Sequence, residues 1–168
     1  MTNERIDRFT ETPKAVAYLV ADASDERLDA QPEPGEWSAR TIMAHLRDDE
    51  YLCMRVCVER ALAEEDPEVL LVDGADWVGT RNHGRDRKDL IAADFALQRQ
   101  ASAAILRSLR DEEWERPMHH AQYGRFTISR FLDSWLQHDA EHLAQLESLL
   151  GETLAEVRAR RTPPPGRD

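Results

Sequence analysis

Cysteine is scarce in this 168-residue chain: Cys53 and Cys57 are the only two, which rules out a fold stapled by disulfides. They lie four apart in helical sequence, a spacing that stacks two small buried hydrophobes, with a redox pair as the rarer alternative. Lysine is scarcer than usual too, since Lys14 and Lys88 are the only lysines beside many arginines. Codon bias in a GC-rich genome accounts for that. Positive charge is outweighed, 22 Lys and Arg against 33 Asp and Glu for a net charge of −11. With no large basic cluster either, a nucleic-acid backbone is excluded as a partner. No apolar run approaches the ~20 residues that span a bilayer. The opening MTNERIDRFTETPK lacks the basic-then-apolar order of a signal peptide. No membrane partner is expected, and a cytoplasmic location is.

What the chain does have is helical periodicity. Ile6, Phe9, Pro13, Val16 and Val20 predict a first helix to about Ala23, with Pro13 either kinking it or sitting in its first turn after a Thr12 cap. DAQPEPGEWS, residues 29–38, is a loop, and Ser38 caps a second helix over 39–63 whose inward stripe is Ile42, His45, Asp49, Leu52 and Val56. Residues 64–86 form a long connection. A third helix spans about Arg87 to Leu109, with Ile91, Phe95, Gln98, Ala101, Ile105 and Leu109 inward. An irregular stretch leads to Thr127, which caps a fourth helix closing at Gly151. With no convincing strand pair, the fold class is all-α, a four-helix bundle. The long connection is able to travel a helix length, so helices two and three are free to run parallel. Residues 1–157 read as one domain and 158–168 as a mobile tail.

The fourth helix raises a chemical question. Its inward positions, Ile128, Phe131, Trp135, His138, His142, Gln145 and Leu149, follow a near-heptad seam that carries two imidazoles one turn apart. An isolated inward histidine is ordinarily a core residue hydrogen-bonded through both nitrogens. Two at i and i+4 can converge on one ion, and His45 adds a third from a second helix. Three imidazoles holding a divalent ion leave a coordination position open for a reactant. Asp48, Asp49 and Gln145 are candidates to orient those rings, or are plain solvated or core polar groups. HDAEH, residues 138–142, matches an inverted zincin pattern, but no further ligand follows downstream and Asp139 is shorter than the glutamate base. The protease reading is rejected. His119 and His120 lie in the loop before the fourth helix, where one could reach the mouth of the site; His83 has no evident partner.

Three segments, LDAQPEPGEWSARTIMAHLRDDE (28–50), WERPMHHAQYGRFTISRFL (114–132) and LQHDAEHLAQLESL (136–149), resemble the DinB/YfiT-like family of bacterial four-helix-bundle metalloproteins in order and spacing. The resemblance implies an up-down-down-up bundle and a histidine triad carried onto His45, His138 and His142. The mycothiol-dependent branch has Glu where this chain has His138, so the three-His branch is the better match. Some of its members resemble bacillithiol S-transferases and others carry only a provisional hydrolase label.

The expected function is therefore a metal-dependent low-molecular-weight-thiol S-transferase, its coordinated thiol made acidic and attacking a small-molecule electrophile. A metal-dependent hydrolase using metal-bound water and a non-catalytic, stress-related metal-binding protein are the alternatives. Zinc, nickel and iron all suit three imidazoles, and a homodimer is expected by resemblance.

Overall fold

Capping chemistry sets most helix boundaries. In the computed structural model, which describes residues 2–70 and 86–161, α1 (Thr2–Val20) is followed by the single-turn α2 (Asp25–Asp29), capped by Ser24. Ser38 accepts the Thr41 amide to open α3 (Ala39–Asp49), which passes through a π-helical turn at Glu50–Met54 into α4 (Arg55–Ala63). α5 (Lys88–Ser108) and a 3₁₀ turn (Asp111–Glu115) lead to strands β1 (Pro117–His120) and β2 (Gly124–Thr127). Thr127 accepts the Arg130 amide at the start of α6 (Ile128–Leu150), Gly151 closes it in the left-handed conformation at φ 60°, and α7 (Leu154–Arg161) follows.

The contacts at the helix ends fix the directions. Lys88 donates to the carbonyls of Val20, Ala21 and Ala23, so α5 starts where α1 ends. Arg5 donates to Ser129 at the opposite end, and Arg27 reaches back to the Leu150 carbonyl. α1 rises, α3–α4 and α5 both descend, and α6 rises again: the up-down-down-up bundle. Two apolar clusters fill it, one around Phe9, Trp114, Phe131 and Trp135, the other around Leu19, Ile42, Phe95 and Leu146. Among the described residues no helix is long and apolar enough to cross a membrane. Of the long connection, 71–85, with His83, lie outside the described residues, as do 162–168. α7 runs past the expected start of the tail at Arg158 to Arg161, with Val157 buried and Arg160 and Arg161 paired to Glu152 and Asp22.

Three expectations are corrected. A strand pair exists: Met118 pairs with Phe126 and His120 with Gly124 across a three-residue turn. Gly124, at φ 72°, supplies the left-handed position such a turn requires. Residues 67–69 lie alongside β1, bonded to His119 at both its amide and its carbonyl. These strands are too short for alternation to register.

The second helix does not keep one stripe. The Arg55 amide bonds back to the Glu50 carbonyl, so the π turn holds one extra residue. From within it onward the inward positions become Cys53, Met54, Cys57, Val58 and Ala61, while Leu52 (37% exposed) and Val56 (40%) face outward. Cys53 and Cys57 are reduced and buried, as two small core side chains.

The stripes of α5 and α6 are also displaced. Arg99 and Ser102 are buried where Gln98 and Ala101 were expected, and Asp139, Leu146 and Leu150 where His138, Gln145 and Leu149 were. A straight helix drifts ~20° per heptad from a 3.5-residue repeat, about 65° across 23 residues, which is most of the ~100° that separates successive positions. Arg99 is 1% exposed and Asp139 2%. The guanidinium donates to both Asp139 oxygens and to Glu50 at 2.8 Å, with Thr12 donating to Asp139 at 2.8 Å. Pro13 lies inside α1 rather than at its start. Having no N–H, it leaves the Phe9 carbonyl without its helical donor, and Arg99 fills that role at 2.9 Å.

Replacing Arg99 with methionine strands Asp139 in the interior. The R99M variant should lose about 3–5 kcal/mol in urea unfolding, and R99M/D139N should recover part of it.

Candidate metal centre and its cavity

His45 sits two turns after the Ser38 cap on α3; His138 and His142 sit one turn apart on α6. The packing of these helices brings three ring nitrogens together. His138 Nε2 lies 3.0 Å from His45 Nε2 and 3.2 Å from His142 Nε2. All three sites offer an atom within 4.8 Å of the others.

The proton positions follow from the neighbours. Gln145 Oε1 is 2.8 Å from His142 Nδ1, and an amide oxygen only accepts, so Nδ1 carries the hydrogen and Nε2 is a bare lone pair. His138 Nδ1 is buried without a hydrogen-bond partner and faces the Asp139 carboxylate at 3.9 Å, which favours a proton on that nitrogen too. The lone pairs of His138 and His142 then meet at 3.2 Å, and His45 Nε2 stands 3.0 Å from the same His138 nitrogen. One shared proton relieves a single contact; one cation relieves them all. Nitrogens about 2.0–2.1 Å from a common ion stand ~2.9–3.4 Å apart at octahedral to tetrahedral angles, and both measured separations fall in that range. The donor set fits a divalent ion held by His45, His138 and His142.

Asp49 Oδ2 lies 3.6 Å from His138 Nε2, making it the nearby carboxylate. Burial raises its pKa, opposed by His138. Asp48 instead bonds Arg47 at 3.0 Å, and burial still pushes its carboxyl up to about 6. Burial, with the nearby His138 ring, pushes His142 down to about 4. Trp37 belongs to the site although its sequence position in a Pro-rich loop did not suggest it. Its ring is 4.9 Å from that of His45 and stacks nearly parallel to His142 at 6.0 Å. The only hint was its place directly before the Ser38 cap.

The histidines open into a cavity of ≈ 660 Å³. Met54, Phe126 and Phe131 supply apolar wall, while His120, Tyr123 and Arg130 form its far end. The hairpin therefore builds the rim, and His120, not His119, is the loop histidine that reaches it; His119 lies 3.7 Å from Asp66.

The sequence pattern of the DinB superfamily matches residues 8–146. The chain belongs to the DinB superfamily. Two superfamily relatives are each 25% identical to it and provisionally named metal-dependent hydrolases. One, from Oceanobacillus iheyensis, covers 88% of this chain and 84% of its own length; the other, YfiT of Bacillus subtilis, covers 86% and 81%. The solved structure of that YfiT, described as a four-helix bundle of unusual topology, superposes with a TM-score of 0.79 at 21% identity, over 90% of this chain and 89% of the other. At that identity the structural likeness speaks for the fold.

The depressed His142 pKa has a definite sign. The unfolded imidazole binds a proton below about 6.5 and the folded one only near 4, so stability linked to this group is present above 6.5 and lost as pH falls toward 4. In the presence of chelator, the urea midpoint should fall more for the parent protein than for H142Q between pH 7 and pH 5.

Proposed function

We propose that this chain is a divalent-metal-dependent enzyme that joins a small thiol to an electrophile, with His45, His138 and His142 as the ligands. The observation that carries the reading is the convergence of three imidazole Nε2 atoms at one end of a cavity. A bound ion would supply Lewis acidity, making a coordinated thiol acidic near neutral pH. The three imidazoles are neutral donors and leave coordination positions toward the cavity. Gln145 holds the His142 tautomer and Asp139 faces the outer nitrogen of His138, so the rings keep their aim.

Asp49 is the proton acceptor in this scheme. It takes the thiol proton, the sulfur forms its bond to the electrophilic carbon, and the leaving group departs with the electron pair and recovers the proton. The apolar wall of Met54, Phe126 and Phe131 suits a hydrocarbon-bearing electrophile and keeps bulk water from competing. A cavity of ≈ 660 Å³ has room for two small reactants together.

Hydrolysis is the second reading. It is favoured by Asp49, which would serve water equally well as a base, and by the names of the two relatives.

The test supplies zinc- or nickel-loaded protein with an alkyl halide, with and without small thiols. Halide release that requires thiol and metal together is expected; release without thiol selects hydrolysis. D49N should retain metal and slow turnover by about 10²-fold. H142A should lose stoichiometric metal while its helical circular dichroism stays nearly unchanged. Retained metal in H142A would contradict the ligand assignment.

A further inference from the structure

Arginine in this protein is usually matched with acid. The buried Arg40, Arg47 and Arg99 all hold carboxylates, and so do Arg60, Arg87, Arg110 and Arg160 at the surface. Among the described residues Arg8, Arg27, Arg55, Arg116 and Arg130 have no carboxylate partner, and of these only the exposed Arg130 lines the cavity.

Its position along α6 gives it meaning. Arg130, Ser134, His138 and His142 follow at four-residue steps, and all four line the cavity, so one face of one helix forms its floor. The two imidazoles stand at one end and the guanidinium at the other. Eight residues separate Arg130 from His138, a rise of ~12 Å along the axis.

The hairpin groups that line the same cavity are donors as well. His120 Nδ1 accepts the amides of Gln122 at 3.1 Å and Tyr123 at 3.4 Å, which keeps its proton on Nε2. Tyr123 stacks on that ring at 4.8 Å and brings a phenol to the same rim. The one carboxylate among the described lining residues, Asp49, is at the histidine end. The cavity is thus polarised: acid beside the imidazoles, one cation and neutral donors at the rim.

We infer that the reactant of this site carries a single terminal carboxylate, held by Arg130 on the order of 10 Å from the atom that reacts, a span set by the helical rise. A planar carboxylate matches the two-pronged guanidinium. One positive charge with neutral donors balances one negative charge, and the acidity of the chain as a whole disfavours a dianion. The apolar wall between the two ends takes the hydrocarbon that links them.

This inference rests on the metal-centre reading proposed above, and its test separates the two. Cobalt-loaded protein is titrated, by its visible absorption, with chains of three to eight carbons. One end bears a thiol or a hydroxamate and the other a carboxylate or an alcohol. Carboxylate-ended chains near the long end of the series should bind at least about tenfold more tightly than their alcohol counterparts, the strength of a charge-assisted hydrogen bond. R130A should remove that preference without weakening the alcohols, and R130K should restore part of it. Equal binding of the two series, or a preference that survives R130A, overturns the inference while leaving the metal centre intact. Preference among hydroxamates with no thiol binding upholds Arg130 and rejects thiol chemistry. Binding of neither head group rejects the metal centre and this inference together.

Discussion

One guanidinium ties the bundle together. Arg99 reaches from α5 to a carbonyl of α1, a carboxylate of the π turn and a carboxylate of α6, and lies against the rings of Phe9, Phe95 and Trp135. Burying a charge is costly unless every donor and acceptor is satisfied. Much of that satisfaction is built into the sequence. Pro13 frees the carbonyl that Arg99 takes, and Thr12 donates to the carboxylate Arg99 holds. Glu50, pushed up to about 7 by burial against the pull of Arg99, accepts from Arg99 at Oε2, while its buried Oε1 has no hydrogen-bond partner among the described residues. Burial pushes the Asp139 pKa up, but the Arg99 charge, the nearby His138 ring and hydrogen bonds from Arg99 and Thr12 together hold it below its ordinary value.

The same fixture serves the site. Asp139 follows His138 directly in the chain, and its carboxylate faces the outer nitrogen of that ring. A group bonded directly to α1 and α5 therefore stands behind the central histidine. On the other side of the rings, Trp37 covers His45 and His142. Three imidazoles pressed nitrogen to nitrogen are poor packing without a cation, and the rigid backing explains how they can be held that way. The π turn contributes as well: by adding one residue after Asp49 it lets α3 present His45 and Asp49 to the cavity while α4 still buries Cys57 and Val58.

The helices, their caps and the histidine triad were legible in the sequence because they rest on local rules. Ser38, Thr127 and Gly151 each end or begin a helix by chemistry within a few residues. His138 and His142 share a face whichever neighbour they meet. The rest depended on long-range partners. Arg99 reads as a solvent-facing residue until Asp139 and Glu50 are placed beside it. Asp139 looked like a shortened protease base because nothing nearby in sequence explains its burial. The π turn leaves no compositional mark, so one period was carried through Leu52 and Val56. The hairpin is only four residues a side, and Trp37 meets the rings from a loop whose path no periodicity records. Two of these misses, the hairpin and Trp37, are parts of the cavity wall, where pattern is weakest.

The central claim is that His45, His138 and His142 share one ion whose remaining positions face the cavity. X-ray absorption at the metal edge of the zinc-loaded protein, in buffer free of thiols, tests it most directly. The account predicts three imidazole nitrogens at about 2.0–2.1 Å with lighter oxygen ligands completing the shell. A protein sulfur at about 2.3 Å, or a shell with fewer than three imidazoles, would contradict it.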